Sequence, residues 1–389
     1  MAITAAHVAR APRIRLGMVG GGRGAFIGAV HRIASRIDDQ YELVAGCFSS
    51  DADRAAASAA DLGVARSYAS FADMAMREAR RKDGIEAVAI VTPNHMHAPV
   101  AMQFLKRGIH VICDKPLTHN LAEAKKLAKA ANASGVVFAL THNYTGYPMI
   151  RQAKALVDSD ALGDIRLVQV EYAQDWLAEP VEQTGQKQAD WRTDPARSGA
   201  GGATGDIGTH AFNLANFVSG LTLDSLSADL QSFVAGRRVD DNAHVLLRYT
   251  SGARGMLWCS QVASGLENGL KLRVFGTKAG LAWEQENPNY LNVTPLGAPP
   301  YRLSRGGAGT AEAAARMTRI PAGHPEGYLE GFANIYAEAA RAIIARRDGV
   351  ALDSAVTFPG LHEGLEGVAF VDACVRSSAR NAAWVKLAL

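Results

Sequence analysis

Between residues 14 and about 142, short apolar runs rich in β-branched residues alternate with Ala-rich stretches of helical period. The runs fall at 14–19, 42–47, 87–91, 110–113 and 136–141, and their near-continuous hydrophobicity is that of strands buried on both faces. The stretches at 24–37, 51–62, 71–81, 97–107 and 121–134 predict helices. Strands and helices in alternation predict an α/β fold that begins with a doubly wound parallel sheet of the Rossmann type, because right-handed crossovers place helices on both faces. Such a sheet binds its ligand beyond the carboxyl ends of its strands, so functional residues are expected there.

After a Gly- and Pro-containing link at 145–148 the pattern changes. A helix to about residue 158 is followed by alternating apolar and polar segments at 165–172, 226–234, 243–249, 253–261 and 270–275. Period-two alternation predicts a large, mainly antiparallel open sheet with one covered face. The Gly- and Pro-rich residues 287–309 predict a loop. Residues 328–347 predict an amphipathic helix with Leu329, Phe332, Ile335, Tyr336, Ala339 and Ile343 on one stripe. The expected organisation is a flexible tail at 1–13, a dinucleotide-binding Rossmann domain at 14–144, and an α/β substrate-binding and oligomerisation domain at 145–389.

Composition narrows the class. A chain of 389 residues suits two domains with a cleft between them. Its 41 basic and 38 acidic residues are spread without the basic stripe that phosphate backbones require, so no nucleic-acid partner is expected. The four cysteines stand far apart with no C-x-x-C pair, which predicts neither a zinc site nor a disulfide framework and fits a reducing cytoplasm. The first dozen residues lack a signal-peptide core, being interrupted by His7 and Arg10, and no apolar run reaches the roughly 18 residues of a membrane span. The expected protein is soluble and cytoplasmic, with no metal and no membrane partner.

The first strand runs directly into Gly20-Gly21-Gly22-Arg23-Gly24-Ala25-Phe26, where Gly20-x-Gly22-x-x-Ala25 satisfies the dinucleotide fingerprint in its G/A form. Gly20 permits the tight turn, Gly22 lets the backbone approach a pyrophosphate, and the helix that follows presents unpaired N–H groups to the anion. Strand, glycine loop and helix in this order separate the motif from a merely flexible turn. At the end of the second strand no carboxylate waits for a ribose diol. Ser49 and Arg54 suit a 2′-phosphate, whereas Asp51 and Asp53 repel one. NAD and NADP both remain open, with the balance toward NAD.

Two more segments leave strand ends: Thr92-Pro93-Asn94-His95-Met96-His97, and Asp114-Lys115-Pro116. Both should border the nicotinamide, Asn94 as a neighbour of the ring and His97 in a positional role. Further on, Trp191-Arg192-Thr193-Asp194 leads through Gly201-Gly202 to Asp206-Ile207-Gly208-Thr209-His210. Asp206 and His210 are four apart and share a face on a helical turn. Taken singly, each also fits a capping or packing role, and a lone lysine is usually a solvated charge.

Together the fingerprint, T-P-N-x-x-H, D-K-P and G-G-x-x-x-D-x-G-x-H resemble the glucose–fructose oxidoreductase, inositol dehydrogenase and rhizopine-catabolism family, called Gfo/Idh/MocA. The resemblance extends over nearly the whole chain, including Gly276-Thr277-Lys278-Ala279-Gly280, which is similar to that family's G-T-K-x-G turn. It implies a nicotinamide-dependent oxidation of a ring hydroxyl of a cyclic polyol or pyranose, inositol- or glucose-like, with Lys115, Asp206 and His210 in the family's lysine, aspartate and histidine positions. His210, with an ordinary pKa near 6.5, suits a base. Lys115 can stabilise alkoxide character on the same oxygen, while Asp206 holds substrate or orients the histidine. Tyr144, Arg192, Asn213 and His324 are further substrate-binding candidates.

Three departures stand out against the family pattern: Asp114 replaces the commoner glutamate, Asn213 replaces an aspartate, and the glycine loop is two residues longer with Arg23 inside it. Two other functions suit the same fold: transient NAD-dependent oxidation that assists glycoside cleavage, and a non-catalytic nucleotide-sensing regulator. The open sheet predicts a homodimer or homotetramer.

Overall fold

The computed structural model describes residues 12–389. Nearly all of the tail expected at 1–13 therefore lies outside the described residues. From Ile14 the chain alternates strand and helix: β1 (Ile14–Gly20), α1 (Phe26–Ile37), β2 (Tyr41–Cys47), α2 (Ala52–Asp61), β3 (Arg66–Ser67), α3 (Phe71–Glu78), β4 (Ala87–Val91), α4 (His97–Leu105), β5 (His110–Cys113), α5 (Leu121–Ser134) and β6 (Phe138–Leu140). The six strands form one parallel sheet in the order β3-β2-β1-β4-β5-β6. Its order reverses between β1 and β4, which opens the crevice above their carboxyl ends. The sequence pattern did not mark the two-residue β3, which is too short to carry a period. Helix α1 starts at Phe26, two residues later than expected, because Gly22 to Ala25 form a turn closed by the Ala25 N–H on the Gly22 carbonyl at 3.1 Å.

The remainder comprises α6 (Pro148–Asp158), β7 (Ile165–Ala173), α7 (Lys187–Arg192), α8 (Pro195–Ser198), a π-helical turn at Thr204–Gly208 and α9 (Thr209–Ser219). Then follow β8 (Leu223–Gln231), β9 (Asn242–Tyr249), β10 (Arg254–Ser260), β11 (Gly269–Gly276), β12 (Ala279–Glu284), β13 (Tyr290–Pro295) and β14 (Tyr301–Ser304). The chain closes with α10 (Glu312–Ala315), α11 (Tyr328–Asp348), α12 (Leu361–Ser378) and β15 (Val385–Lys386). Nine strands form a sheet in the order β14-β13-β12-β11-β7-β10-β9-β8-β15, antiparallel throughout except for the parallel pair β7 and β10. Ala243, Val245, Leu247 and Tyr249 of β9 are buried beneath α9 and α12, whereas His244, Leu246 and Arg248 face outward. One face is covered and one is open.

The loop expected at 287–309 is corrected by β13 and β14, which extend this sheet at its edge. Leu291 and Val293 alternate inward with full burial. The density of Gly and Pro around them masked the alternation, and Pro295 is tolerated because it ends its strand at the sheet margin. A second difference concerns α11. It is buried on most of its circumference, because it crosses back onto the first sheet, against α1 and the turn at Asn143–Gly146. Phe332, Tyr336, Ala339 and Ile343 join a core that includes Ile14, Leu16, Met18 and Tyr41, and the Tyr41 hydroxyl donates to the Tyr336 carbonyl at 2.9 Å.

Candidate active site

The glycine loop is shaped by close approach. A Cβ on Gly20 would stand 2.7 Å from the Val91 carbonyl oxygen, and φ there is +83°. A Cβ on Gly22 would meet the Phe48 carbonyl oxygen at 2.7 Å and Ser58 Oγ at 2.8 Å. Only glycine leaves the loop flat against the ends of β2 and β4. A depression of about 470 Å³ runs along it, lined among others by Gly21, Gly22, Arg23, Ala25, Arg32 and Ser58. Arg32 Nη1 donates to the Gly21 carbonyl at 2.6 Å, and the Arg23 N–H donates to Ser58 Oγ at 3.1 Å. The Arg23 side chain is paired with Asp61 through Nε and Nη2, at 2.5 and 2.7 Å, and both groups are exposed. Gly24 has φ of +75°, and Phe26 is exposed at the start of α1.

At the end of β2, Asp51 caps α2 by accepting the Arg54 N–H at 2.8 Å, while the Arg54 side chain is exposed and Ser49 Oγ accepts the Asp51 N–H. A Rossmann dinucleotide fits these residues. The cradle has no room for a Cβ, and Thr92 Oγ1, on the neighbouring strand end, is buried without a partner.

The T-P-N-x-x-H and D-K-P segments are braced together by one ring. His97 is fully buried, with Nδ1 2.7 Å from the Pro116 carbonyl and Nε2 2.9 Å from the Thr92 carbonyl. Pro93 sits between Thr92 and the buried Asn94, whose Nδ2 donates to the Ser198 carbonyl at 2.9 Å. Asp114 Oδ1 accepts from the Lys115 N–H at 3.0 Å and from Thr141 Oγ1 at 2.9 Å. Burial pushes the Asp114 carboxyl up, but His31, whose Nε2 stands 3.9 Å away, and Lys115 outweigh it and hold it well below the usual carboxylate range.

Lys115 reaches across from β5 to the π turn. Its Nζ donates to the Asp206 carbonyl at 2.6 Å and to Asp206 Oδ1 at 2.7 Å. Asp206 Oδ2 accepts from Gln261 Nε2 at 2.9 Å and from Arg192 Nε at 3.2 Å. Burial raises the Asp206 carboxyl, yet the charges of Lys115 and Arg192 prevail and keep it ionised. Arg192 itself stacks on Trp191, 4.3 Å from the ring centre. Asp194 caps α8 and pairs with Arg238. The loop before the π turn is tied down by buried Asp240, which accepts the N–H groups of Gly202 at 2.7 Å and Thr204 at 2.8 Å together with the Thr204 hydroxyl.

His210, at the start of α9, is buried. No hydrogen bond joins it to Asp206 among the described residues; its Nδ1 lies 3.5 Å from Nδ1 of His142. Burial pushes the His210 imidazole well below 6.5, and the nearby Lys115 and His142 push the same way. Tyr144 packs edge-on at 4.9 Å between ring centres and shares a 2.5 Å hydrogen bond with the Tyr172 hydroxyl. From there polar contacts continue through Asn268 to Gln174 and Gln285. Asn213, one turn beyond His210, keeps its Oδ1 buried without a partner.

Lys115, Asp206, Arg192, His210 and Tyr144 therefore form one polar cluster. His324 stands apart: it is exposed in the loop before α11, its carbonyl accepts from Arg305, and no side-chain hydrogen bond links it to His210 among the described residues. Gln261, His142, Tyr172 and Asn268 belong to the cluster but were not singled out from sequence. His142 stands two residues beyond β6, at the carboxyl edge where the fold places ligands, and that position was a usable signal. Gln261 and Asn268 carry no local motif.

Residues 14–142 match the oxidoreductase family with an NAD-binding Rossmann fold, and residues 150–282 match the GFO/IDH/MocA C-terminal domain. Over 379 residues the chain is 35% identical to an uncharacterized oxidoreductase, YfiI, of Bacillus subtilis (strain 168), covering 96% of each chain. A solved oxidoreductase from Sinorhizobium meliloti is 60% identical with a TM-score of 0.89, covering 97% of this chain and 100% of that one. An inositol dehydrogenase homologue from Azotobacter vinelandii, complexed with NADH and myo-inositol, is 39% identical with a TM-score of 0.90, covering 97% and 98%. With both domains matched and identity sustained along its length, the chain belongs to the GFO/IDH/MocA family of NAD-binding oxidoreductases.

Proposed function

We propose that the protein is a dehydrogenase that removes hydride from a ring hydroxyl carbon of a cyclic polyol or pyranose sugar, with residues 14–144 holding the dinucleotide and 145–389 the substrate. The observation that carries this reading is the cluster at the crevice: an ammonium held 2.7 Å from a half-buried carboxylate, beside a buried imidazole whose Nε2 has no partner among the described residues. The Azotobacter homologue, complexed with NADH and myo-inositol, supports the substrate class.

His210 Nε2 takes the hydroxyl proton. Two of the three Lys115 N–H donors go to Asp206, and the third remains for the substrate oxygen, where it stabilises alkoxide character as the carbon is oxidised. When bound, the nicotinamide supplies the hydride acceptor. Gly20, Gly22, Arg23, Gly24, Ala25 and Phe26 would carry its pyrophosphate, with Ser49 and Arg54 at the ribose. Thr92, Pro93 and Asn94 would border its ring, held in place by His97 and Asp114. NAD is the preferred form, since Asp51 and Asp53 oppose a 2′-phosphate. Arg192, Tyr144 and the free acceptor of Asn213 are the substrate contacts.

The test is a matrix of inositols, aldoses and glycosides against NAD and NADP, following reduced nicotinamide. Net reduction with a free polyol or pyranose is expected. Release of an aglycone without net reduction would replace this reading with transient oxidation, and the absence of any turnover alongside dinucleotide binding would favour a regulator.

A further inference from the structure

Asp206 is expected to hold substrate or to orient His210, but its oxygens accept from Lys115, Arg192 and Gln261, and none bonds the imidazole. The group that does face the imidazole is His142. It is buried, and its backbone is fixed on both sides: its N–H donates to the Leu140 carbonyl at 2.9 Å, and its carbonyl accepts from Thr145 Oγ1 at 2.9 Å. The two rings stand nearly perpendicular, at 86°, with centres 5.2 Å apart and Nδ1 atoms facing at 3.5 Å. That separation is at the long end of a hydrogen bond, as befits a catalytic contact before substrate tightens the site.

We propose that His142 is a positioning residue that selects the base-competent tautomer of His210. This rests on the reading of His210 as the base. Between two neutral imidazoles facing Nδ1 to Nδ1, a single proton can be shared. If it sits on His210, the His210 Nε2 lone pair is free to accept the substrate proton. If it sits on His142, His210 carries its own proton on Nε2 and cannot act. Among the described residues no other side chain accepts from His210 Nδ1, so without His142 a buried donor would go unpaired, at a cost of about 1–3 kcal/mol.

Burial holds His142 near 3, so it stays a neutral acceptor at physiological pH. The charged groups acting on the pair are Lys115, which disfavours a further proton on either ring, the carboxylate of Asp114, which favours one on either ring, and that of Asp206, which favours one on His210. When the substrate O–H bond breaks, the new Nε2–H bond makes His210 an imidazolium, and its Nδ1–H then donates to the His142 lone pair more strongly. His142 thus supplies the orienter of a base–orienter pair, a place more often filled by a carboxylate.

Nitrogen-15 spectra of histidine-labelled resting protein, with His210 assigned by His210→Gln, test this without requiring turnover. The wild type should show His210 protonated on Nδ1 and bare on Nε2. His142→Phe, which keeps the ring but not the acceptor, should shift His210 toward the Nε2–H form. It should also lower kcat by about a hundredfold with KM little changed, and move the acid limb of kcat/KM to lower pH, because the imidazolium loses its acceptor. His142→Asn restores an acceptor near the Nδ1 position and should recover most of the rate. An Nε2–H His210 in the wild type, an unmoved tautomer in His142→Phe, or a His142→Asn variant as impaired as His142→Phe would each overturn the proposal. Undiminished turnover in His210→Ala would instead remove the base reading on which it rests.

Discussion

Asp206 receives Lys115, Arg192 and Gln261 on its two carboxylate oxygens and its carbonyl, which fixes the carboxylate in place before a substrate arrives. The three binding groups come from the turn after β5, from α7 and from the residue that follows β10. Of these, Lys115 and Arg192 could be read from sequence because each sits in a recognisable motif. Gln261 could not, since its position depends on how β10 pairs with β7 far away in sequence. His210 was legible as a residue but not in its protonation: an ordinary value near 6.5 was expected, and burial lowers it, which only tertiary packing reveals. At this scale the glycine cradle makes a direct prediction. Gly22→Ala places a methyl 2.7 Å from the Phe48 carbonyl oxygen, so the loop must shift. Dinucleotide affinity measured by calorimetry should fall about tenfold or more, equivalent to roughly 1.4 kcal/mol, while the circular dichroism spectrum is unchanged. Unaltered affinity would show that the loop does not carry the pyrophosphate.

Among elements, the strands of the first sheet were legible because each is a continuous apolar run bounded by turns, and α5 because Asn120 caps it by accepting the Glu123 N–H and Gly135 ends it at φ +65°. The edge strands β13 and β14 were not, because Gly and Pro at their ends dominate a short alternation. Helix α11 shows the other limit. Its stripe was readable, but its burial on further sides is set by a return to the first sheet that no local pattern encodes. Glu338, fully buried on α11, accepts from Arg316 at 3.0 Å, from the Thr357 N–H at 2.8 Å and from Arg341. Removing the carboxylate leaves the Thr357 N–H without its acceptor and takes a counter-charge from Arg341, from Arg316, which keeps only Asp353 at 3.5 Å, and from the buried Arg151 nearby. Glu338→Ala should therefore destabilise the protein by about 3–5 kcal/mol, seen as a lower denaturant midpoint. A midpoint within error of wild type would contradict the role given to this contact.

For the molecule as a whole, the open sheet face is the feature that most invites a partner. Phe275 and Leu167 are cross-strand neighbours, as are Met256 and Leu246, and all four are exposed. Two surface depressions, of about 740 and 730 Å³, are lined by residues of this sheet and of the loops at its strand ends, including Trp258 and Phe233 in one and Phe275 and Leu296 in the other. A second copy of the chain, pairing face to face, would cover this apolar surface. Leu246→Glu is expected to lower the mass found by light scattering from that of an oligomer to 41.2 kDa; a wild-type monomer at all concentrations would refute the interface. No helix among the described residues is long and apolar enough to cross a membrane.

Stability should also respond to acid in a defined direction. Burial lowers His110 to about 4 and His142 to about 3, below the unfolded value near 6.5, so the native state binds fewer protons than the unfolded chain across that interval. Their contribution is complete above about pH 6.5 and is lost as pH falls through 4 and then 3. His110 Nδ1 accepts the Val137 N–H at 2.9 Å, a bond that protonation at that nitrogen destroys. The melting temperature should fall steadily as pH is lowered from 6.5 to 4, and a flat profile would contradict the neutral, buried state of these rings.

The central claim is that a crevice holding Lys115, Asp206 and His210 oxidises a ring hydroxyl at the expense of a nicotinamide. It is tested most directly by the rate of nicotinamide reduction with NAD and a panel of cyclic polyols and pyranoses, comparing wild type with His210→Ala. Turnover is expected in the wild type, with a loss of about 10²–10⁴-fold in the variant and NAD affinity retained. Equal rates in the two proteins would contradict it.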